Sequence, residues 1–273
     1  MRDKHERNID YLRISVTDRC NMRCLYCQPL KEKDKVKRSN VLSYEEIVKI
    51  IKAGDALGIN KVRLTGGEPL CRKDLDSLVR MIKKETKVKD LSLTTNGVYL
   101  EEKAGSLADA GLDRINISLD SLDPNIFKRL TRRDNLQEVL RGIEESKRVG
   151  LKPVKLNTVL VKGLNTKEID KLIRFSIRNN LILRFIGLMP MGIVKQTGLK
   201  GLSREQVKDR LRADGYNISD TQKPLGQGPA KYIQVSKGDI EGKIGLIFPF
   251  EKNFCVNCNK IRITSKGKIR PCL

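Results

Sequence analysis

The 273-residue sequence is poor in aromatic residues and in histidine. It has no tryptophan, only 4% aromatic residues and a single histidine, His5. The shortage of aromatic side chains argues against a surface on which the bases of single-stranded nucleic acid stack. Structural zinc normally takes four Cys or His ligands close together, and His5 lies fifteen positions upstream of the first cysteine, Cys20. These absences weaken, but leave open, the alternative of a basic RNA-binding module stabilised by zinc.

Long hydrophobic runs and acidic residues are scarce as well. No apolar run reaches the ~20 residues of a membrane-spanning helix, and no signal peptide or lipidation box is present. We therefore expect a cytoplasmic protein that does not bind membranes. Only 33 Asp and Glu stand against 55 Lys and Arg, which gives a formal net charge of +22. This imbalance favours an anionic ligand, whether nucleotide phosphates, RNA or an acidic protein.

Cysteine, by contrast, is present seven times. In the cytosol, clustered thiols indicate metal or redox chemistry and not disulfides. Cys20, Cys24 and Cys27 have the spacing C-x3-C-x2-C, and three thiols can hold three irons of a 4Fe-4S cluster, which usually has four cysteine ligands. The remaining iron is then open to a small molecule, as a catalytic site requires. Zinc is the alternative, although it normally takes four ligands.

A second set of three cysteines, Cys255, Cys258 and Cys272, lies near the other end of the sequence. It is again one ligand short, so we expect a second cluster with an open iron, with zinc as the alternative. Cys71 is left over and is expected to be a buried or half-buried small residue.

Six predicted strands alternate with helices, which is the pattern of a parallel sheet. The strands are predicted at 11–17, 61–65, 91–95, 114–119, 154–161 and 182–189, with helices near 43–57, 74–85, 99–110, 135–149 and 167–179. Five of the strands have one polar face, whereas a doubly wound sheet would be apolar on both. We therefore predict an α/β fold, a partial (β/α)6 TIM-like barrel around a wet lumen over residues 1–192. A C-terminal layer, residues 193–273, is predicted to close the barrel and to carry the second cluster.

Three cations lie on the polar faces of the predicted strands. Arg13, Arg63 and Lys155 should therefore point into one lumen. Buried cations need an anion, because unpaired buried charges are costly, and a triphosphate fits. The alternative is internal ion pairing with Asp120 or Glu68.

A glycine-rich turn follows the second predicted strand. Gly66-Gly67-Glu68-Pro69 lies at the C-terminal end of that strand, where barrel active sites are found. We expect the two glycines to let the backbone approach a ligand closely.

Several segments together resemble radical S-adenosylmethionine (SAM) enzymes: the cysteine loop with Tyr26, Gly66–Pro69, Leu93–Gly97, Ile117–Ser121, Leu188–Gly192 and the late cysteine triad. More closely, they resemble the GTP 3',8-cyclase (MoaA) family of molybdenum-cofactor biosynthesis, over about residues 8–272. The resemblance implies two 4Fe-4S clusters, SAM, and cyclisation of GTP to (8S)-3',8-cyclo-7,8-dihydroguanosine 5'-triphosphate. It implies a reductant of the flavodoxin or ferredoxin type and a downstream cyclic pyranopterin monophosphate synthase. We do not expect nucleic acid as a partner, and a homodimer is left open.

The same resemblance implies the site residues. The first cluster would be held by Cys20, Cys24 and Cys27 and the second by Cys255, Cys258 and Cys272. SAM would contact Tyr26, Gly67, Ser118 and Met189. GTP would contact Arg13, Arg63, Thr94, Lys155, Lys260, Ile261 and Arg262. A two-cluster radical enzyme acting on a peptide or RNA is the alternative within this class.

Three features depart from the family pattern. Lys260 stands where arginine is usual, so we expect a point-charge contact in place of a bidentate one. Gly187 stands where glutamate is common, and we expect it to remove a carboxylate near the barrel mouth. Family members also continue past the position of Leu273 to a Gly-Gly tail that is thought to reach into the active site.

Overall fold

The computed structural model describes residues 1–4, 6–27, 37–221, 228–251, 254–256 and 258–272. The helices are α1 (Tyr44–Ala56), α2 (Leu75–Glu85), α3 (Leu100–Asp109), α4 (Pro124–Thr131), α5 (Leu136–Arg148), α6 (Ile169–Arg178), α7 (Ile193–Thr197) and α8 (Arg204–Ala213). The strands are β1 (Tyr11–Ser15), β2 (Lys61–Thr65), β3 (Asp90–Thr95), β4 (Arg114–Ser118), β5 (Val154–Leu160), β6 (Ile182–Gly187), β7 (Asn217–Asp220), β8 (Lys231–Lys237), β9 (Ile240–Ile247), β10 (Lys260–Ile263) and β11 (Ile269–Arg270).

The strands of the described residues form one sheet in the order β11-β10-β1-β2-β3-β4-β5-β6-β9-β8-β7. β1 to β6 pair in parallel with their sequence neighbours, and helices connect each pair. The predicted partial (β/α)6 barrel is thus confirmed. The C-terminal part takes the form of strands at both edges of this sheet, since β10 pairs in parallel with β1 and β9 with β6. The boundary at residue 192 stays a prediction.

The six barrel strands have one apolar face, which packs against the helices. Ile14, Leu64, Leu93, Ile117 and Leu156 on this face are fully buried. Burial of such a side chain stabilises the fold by ~1.5–3 kcal/mol. Because this outer core holds the strands in place, the opposite face can carry the polar side chains of the lumen.

Two helices begin at capping boxes. At α1, Ser43 Oγ accepts from Glu46 N (3.1 Å), and a Glu46 carboxylate oxygen accepts from Ser43 N (2.7 Å). Ser203 and Gln206 repeat this arrangement at α8, with distances of 3.2 and 2.9 Å. Both boxes satisfy backbone donors that the helix itself leaves unpaired, and the start of α1 matches the helix predicted from residue 43. Among the described residues, no helix has the length and apolar character to cross a membrane.

Candidate active site: two cysteine triads and a cationic lumen

The first cysteine triad lies in the loop that follows β1, at the C-terminal ends of the barrel strands. Two backbone hydrogen bonds fix this loop to the end of α4. Arg23 N donates to Thr131 O (3.0 Å), and Leu25 N donates to Leu130 O (2.9 Å). The loop that supplies the thiols is therefore anchored to a helix of the barrel wall.

The three thiols of this loop are free and close enough to influence one another. Burial raises the pKa of Cys20 to about 11 and also raises the pKa of Cys24 and of Cys27. The negative charge of the Cys27 thiolate raises the pKa of Cys20 and Cys24 further. Three neighbouring thiols fit a cluster that needs three thiolates, and binding iron would release their protons. Among the described residues, no three His, Cys, Asp or Glu side chains have the geometry to hold a single metal ion.

Gly66 and Gly67 bring the turn after β2 against the chain that leads to Cys20. Gly67 N donates to Thr17 O (2.8 Å). A Cβ on Gly67 would lie only 2.3 Å from Arg19 O, so no other residue fits without moving the backbone. The close approach predicted for these glycines thus occurs, but the group approached is the backbone of the cysteine loop.

Glu68, the next residue, ties the ends of β2 and β3 together. Its buried carboxylate accepts hydrogen bonds from Leu70 N (3.0 Å), Thr95 Oγ1 (2.7 Å) and Asn96 N (2.6 Å). Burial raises the pKa of Glu68 to about 7. Since these donors are all neutral, the bonds that hold Glu68 do not pair it with the cations of the lumen.

The four residues predicted to contact SAM all lie at the C-terminal ends of the barrel strands. Tyr26 is in the cysteine loop after β1, Gly67 follows β2, Ser118 ends β4 and Met189 follows β6. Tyr26 is held by a residue that was not predicted as a SAM contact. Its hydroxyl donates to Asp120 Oδ2 (2.5 Å), and Asp120 Oδ1 accepts from Val159 N (2.8 Å). Burial raises the pKa of Asp120 to about 6. The sequence did contain a signal for Asp120, which lies in the Ile117–Ser121 motif.

Three guanidinium groups lie side by side across β10, β1 and β2. The strand register pairs Arg262 with Arg13 and Arg13 with Arg63. Burial lowers the pKa of Arg13 and of Arg63 to about 10, and the charge of Arg262 contributes to the shift of Arg13. All three remain charged at neutral pH, so the lumen concentrates positive charge as predicted.

Several buried polar atoms of the lumen have no hydrogen-bond partner within the described part of the chain. They are Arg13 Nε, Thr94 Oγ1, Asn157 Oδ1, Arg184 Nε and the Tyr11 hydroxyl. A buried group of this kind costs ~1–3 kcal/mol unless a partner satisfies it. The mixture of donors and acceptors fits a polar ligand.

A cavity of about 490 Å³ opens at the other end of the lumen, where the strands begin. The described residues that line it are Tyr11, Lys61, Arg63, Asp90, Arg114, Pro153, Lys155, Ile182, Arg184, Gly228, Ala230 and Tyr232. Five of these are cations and one is a carboxylate. The cavity therefore suits an anion.

The cations of this cavity are oriented by neighbouring side chains. Arg63 Nε donates to Ser92 Oγ (3.1 Å), and Arg184 donates to the side-chain oxygen of Asn116. Burial lowers the pKa of Lys155 to about 8, and the charge of Arg184 is the second-largest cause of this shift. Arg184 could have been found from the sequence, because it is the only charged residue in the apolar strand β6.

Two further cations of the cavity are paired with acids. Arg114 bonds to Asp90 at the starts of β4 and β3, and Lys61 bonds to Asp10 (2.7 Å). Sequence reasoning did not find these pairs, because a residue at the start of a strand carries no alternation signal.

β10 carries three residues predicted to contact GTP. Lys260 and Arg262 lie in the lumen, where burial lowers the pKa of Lys260 to about 8 and also lowers that of Arg262. Lys260 Nζ lies 5.5 Å from the centre of the Tyr11 ring. Ile261 differs, because its side chain packs against the hydrophobic core. Alternation along the strand turns it outward, so only its backbone could meet a ligand in the lumen.

The second cysteine triad lies at the opposite end of the strands from the first. Cys258 precedes β10, which is parallel to β1, and Cys272 follows β11, which returns antiparallel to β10. Cys258 N donates to Cys255 O (3.1 Å). Burial lowers the pKa of Arg262, and the thiolates of Cys272 and Cys258 oppose this effect. The three free thiols thus share one neighbourhood beside a guanidinium group, which fits a second cluster.

Gly187 faces away from the lumen. A Cβ at this position would lie 2.6 Å from the Phe248 ring, on the face of β6 that also carries the buried Phe185. The expectation that Gly187 removes a carboxylate near the barrel mouth is therefore wrong, because the alternation of β6 turns this position onto the core. Cys71 is half-buried, as predicted.

Comparison with known proteins agrees with this geometry. Residues 14–176 match the Radical SAM superfamily, and residues 181–273 match the family described as Molybdenum Cofactor Synthesis C. SuiB of Streptococcus suis, solved with SAM bound, has a TM-score of 0.69 and 18% identity, over 99% of this chain and 62% of SuiB. At that identity the likeness shows the fold alone. The fold and the first cysteine loop define a radical SAM protein.

Comparison with curated relatives identifies the family to which the chain belongs within the radical SAM superfamily. The GTP 3',8-cyclase of Alkaliphilus oremlandii is 44% identical over all of this chain and 83% of its own length. That of Petrotoga mobilis is 42% identical over all of this chain and 84% of its length. The chain belongs to the GTP 3',8-cyclase family. Its cofactors are accordingly SAM and two 4Fe-4S clusters, and the cysteine triads are the residues that would hold the clusters.

Proposed function

We propose that this chain cyclises GTP to (8S)-3',8-cyclo-7,8-dihydroguanosine 5'-triphosphate with SAM, as the first step of molybdenum-cofactor biosynthesis. The observation that carries the proposal is the cationic cavity at the end of the lumen that holds the second triad. Its described lining has five cations against one carboxylate, Asp90, which is already bonded to Arg114. The relatives are named for the same substrate, GTP.

The chain's own residues bind and orient the substrates. Arg63, Lys155 and Arg184 are placed to hold the triphosphate through charge-assisted hydrogen bonds, each contributing roughly 1.5–3 kcal/mol. Arg262 lies beside Arg13 in the strand register, on the strand that follows Cys258, and we assign it to the guanine end of the substrate. Cys20, Cys24 and Cys27 would hold the first cluster, which when bound would supply the one-electron reduction of SAM that radical chemistry at the GTP ribose needs.

The proposal includes the partners that this chemistry needs: a flavodoxin or ferredoxin type of reductant, and a cyclic pyranopterin monophosphate synthase that takes the product. A cytoplasmic location is part of it. Arg129 and Arg133 are exposed beside the first cysteine loop, and Arg133 Nε donates to Asn21 O (3.1 Å), whereas the nearby Lys128 is paired with Asp134 (3.0 Å). This basic surface suits an acidic electron carrier. A homodimer stays a prediction.

The two triads provide the test, because one should make the radical and the other should hold the substrate. In the anaerobically reconstituted protein, Cys24→Ser is expected to abolish SAM cleavage. Cys258→Ser is expected to keep some cleavage and to lose GTP conversion. Chromatography of one reaction mixture measures both 5'-deoxyadenosine and the cyclised nucleotide.

Cys71→Ser is the matched control, since Cys71 belongs to neither triad, and it should keep both activities. Equal loss of SAM cleavage in the Cys24 and Cys258 variants would contradict the division of roles. Bound zinc without iron in the parent protein would reject the enzyme altogether.

A further inference from the structure

The N-terminal arm, residues 1–10, holds the second cysteine triad through long-range contacts. Arg7 Nη1 donates to the backbone oxygen of Cys255 (3.0 Å), across 248 positions of sequence. Asn259 Nδ2, next to Cys258, donates to Asp10 Oδ1 (2.7 Å). The segment that supplies two of the three thiols is thus bonded to the arm on both sides of Cys258.

Asp3 fixes the Arg7 side chain in this position. Asp3 Oδ2 accepts from Arg7 Nε (2.8 Å) and Nη2 (2.6 Å), and Asp3 Oδ1 accepts from the backbone N of Arg7 (3.0 Å). The Arg7 and Asp3 side chains are only 19% and 22% exposed, which distinguishes this pair from a loose surface ion pair. With Nε and Nη2 bound by Asp3, Nη1 is directed at Cys255 O.

The arm has local backbone structure of its own. Ile9 N donates to Met1 O (2.7 Å), and Glu6 N donates to Asp3 O (3.0 Å). Arg2 and Asn8 form an antiparallel bridge. Arg7 is therefore presented by a structured turn, and its contact with Cys255 does not depend on a freely rotating chain end.

The same contact places the charge of Arg7 beside the triad. Its Nη1 lies 3.0 Å from the backbone oxygen of Cys255, and Cys258 N in turn donates to that oxygen (3.1 Å). The guanidinium group therefore lies next to the segment that carries Cys255 and Cys258.

We infer that Arg7 is a positioning residue for the second cluster, which fixes the Cys255 end of the loop and keeps a positive charge beside the cluster. The inference rests on the proposed function, because it takes Cys255, Cys258 and Cys272 as ligands of that cluster. Nearby charge, hydrogen bonding and exposure set the reduction potential of such clusters. Loss of an outer hydrogen-bonding partner typically weakens metal binding by ~10–100-fold.

The test compares Arg7→Ala and Arg7→Lys with Arg2→Ala. Arg2 is a matched control on the same arm: it is 78% exposed, pairs with Glu6 at 3.4 Å and makes no contact with the triad among the described residues. Each protein is reconstituted anaerobically. We then measure the iron content and the rate of iron release to a chelator. The second cluster is recognised by the electron paramagnetic resonance signal that does not change when SAM is added, and its reduction potential is measured from that signal.

For Arg7→Ala we expect iron release from the second cluster to be at least ~10-fold faster, with a lower reduction potential. Arg7→Lys should keep the reduction potential near that of the parent, because lysine restores the charge. Iron release should still be faster than in the parent, because lysine lacks the planar guanidinium group that donates to both Asp3 and Cys255. SAM cleavage at the first cluster should stay unchanged in every variant, which also shows that each variant is folded.

The inference is overturned if the parent holds both clusters and Arg7→Ala matches Arg2→Ala in potential and iron release. In that case the proposed function stands. If the parent holds iron for only one cluster and forms no cyclised GTP, the proposed function fails, and the inference falls with it.

Discussion

Single residues of the lumen favour a ligand bound there. Thr94 Oγ1 and the Nε atoms of Arg13 and Arg184 are buried without partners within the described residues. Apolar side chains of similar size would usually stabilise a packed interior at least as well as buried charges. Polar atoms that are costly in the free protein therefore favour binding of a polar anion over a purely structural role for the lumen.

Lys155 should make GTP binding depend on pH. Burial lowers its pKa to about 8, whereas an exposed lysine has a pKa of ~10.4. The free protein loses this charge as pH rises, so we expect GTP affinity, measured by calorimetry, to fall between pH ~7 and ~9.

Stability of the ligand-free protein should change in the opposite direction. Between pH ~8 and ~10.4 the unfolded chain binds more protons at Lys155 than the folded chain, so the contribution of this residue to the free energy of unfolding increases with pH. Lys155→Met should reduce both pH dependences, and Lys260, whose pKa burial also lowers to about 8, should account for what remains. An unchanged pH dependence of GTP affinity in that variant would show that another group is responsible.

Gly67→Ala tests whether the glycine turn holds the first cysteine loop. The new Cβ would lie 2.3 Å from Arg19 O and must displace the backbone that leads to Cys20. We expect incomplete loading of the first cluster and weaker SAM cleavage, while the second cluster stays loaded. Gly105→Ala, in the interior of α3 with no atom within 4 Å of the new Cβ, is the control. It should be neutral or stabilising by ~0.5–1 kcal/mol. Equal cluster loading in the two variants would contradict this role.

At the scale of elements, the side chains of β10 alternate between the lumen, where we expect GTP to bind, and the hydrophobic core. Arg262→Ala should weaken GTP binding by roughly 1.5–3 kcal/mol with little change in unfolding. Ile261→Ala should lower the free energy of unfolding by ~2 kcal/mol, the lower end for a large-to-small change because Ile261 is only half-buried, and should leave GTP affinity unchanged. Denaturant unfolding and calorimetry on both variants check the pattern, and the reverse result would place Ile261 in the lumen.

Which elements the sequence could predict depends on how local their signals are. Ser43 and Glu46 form a capping box within four positions, and the alternation of Leu12, Arg13 and Ile14 is read within one strand. The pairing of β10 with β1 is different, since it joins residues about 250 positions apart and no local pattern specifies it. α4 and α7 were missed for a related reason, because their 8 and 5 residues give little periodicity.

At the scale of the whole molecule, the sheet joins the two ends of the chain and sets the distance between the two triads. The cysteine loop follows the C-terminal end of β1, and Cys258 lies near its N-terminal end. Five residues at ~3.3 Å each place these ends on the order of 15 Å apart. The sequence predicted both triads but not this separation, which follows from strand direction. SAM and GTP can therefore lie between the clusters, along the lumen.

Transfer of the ribose hydrogen tests this arrangement most directly. The anaerobically reconstituted protein is given SAM, a strong reductant and GTP deuterated at the 3' carbon, and the products are analysed by mass spectrometry. If the lumen holds GTP with its ribose facing the SAM end, deuterium should appear in the 5'-deoxyadenosine, in proportion to the nucleotide cyclised. Cleavage of SAM to unlabelled 5'-deoxyadenosine, with the deuterated GTP recovered intact, would contradict the account.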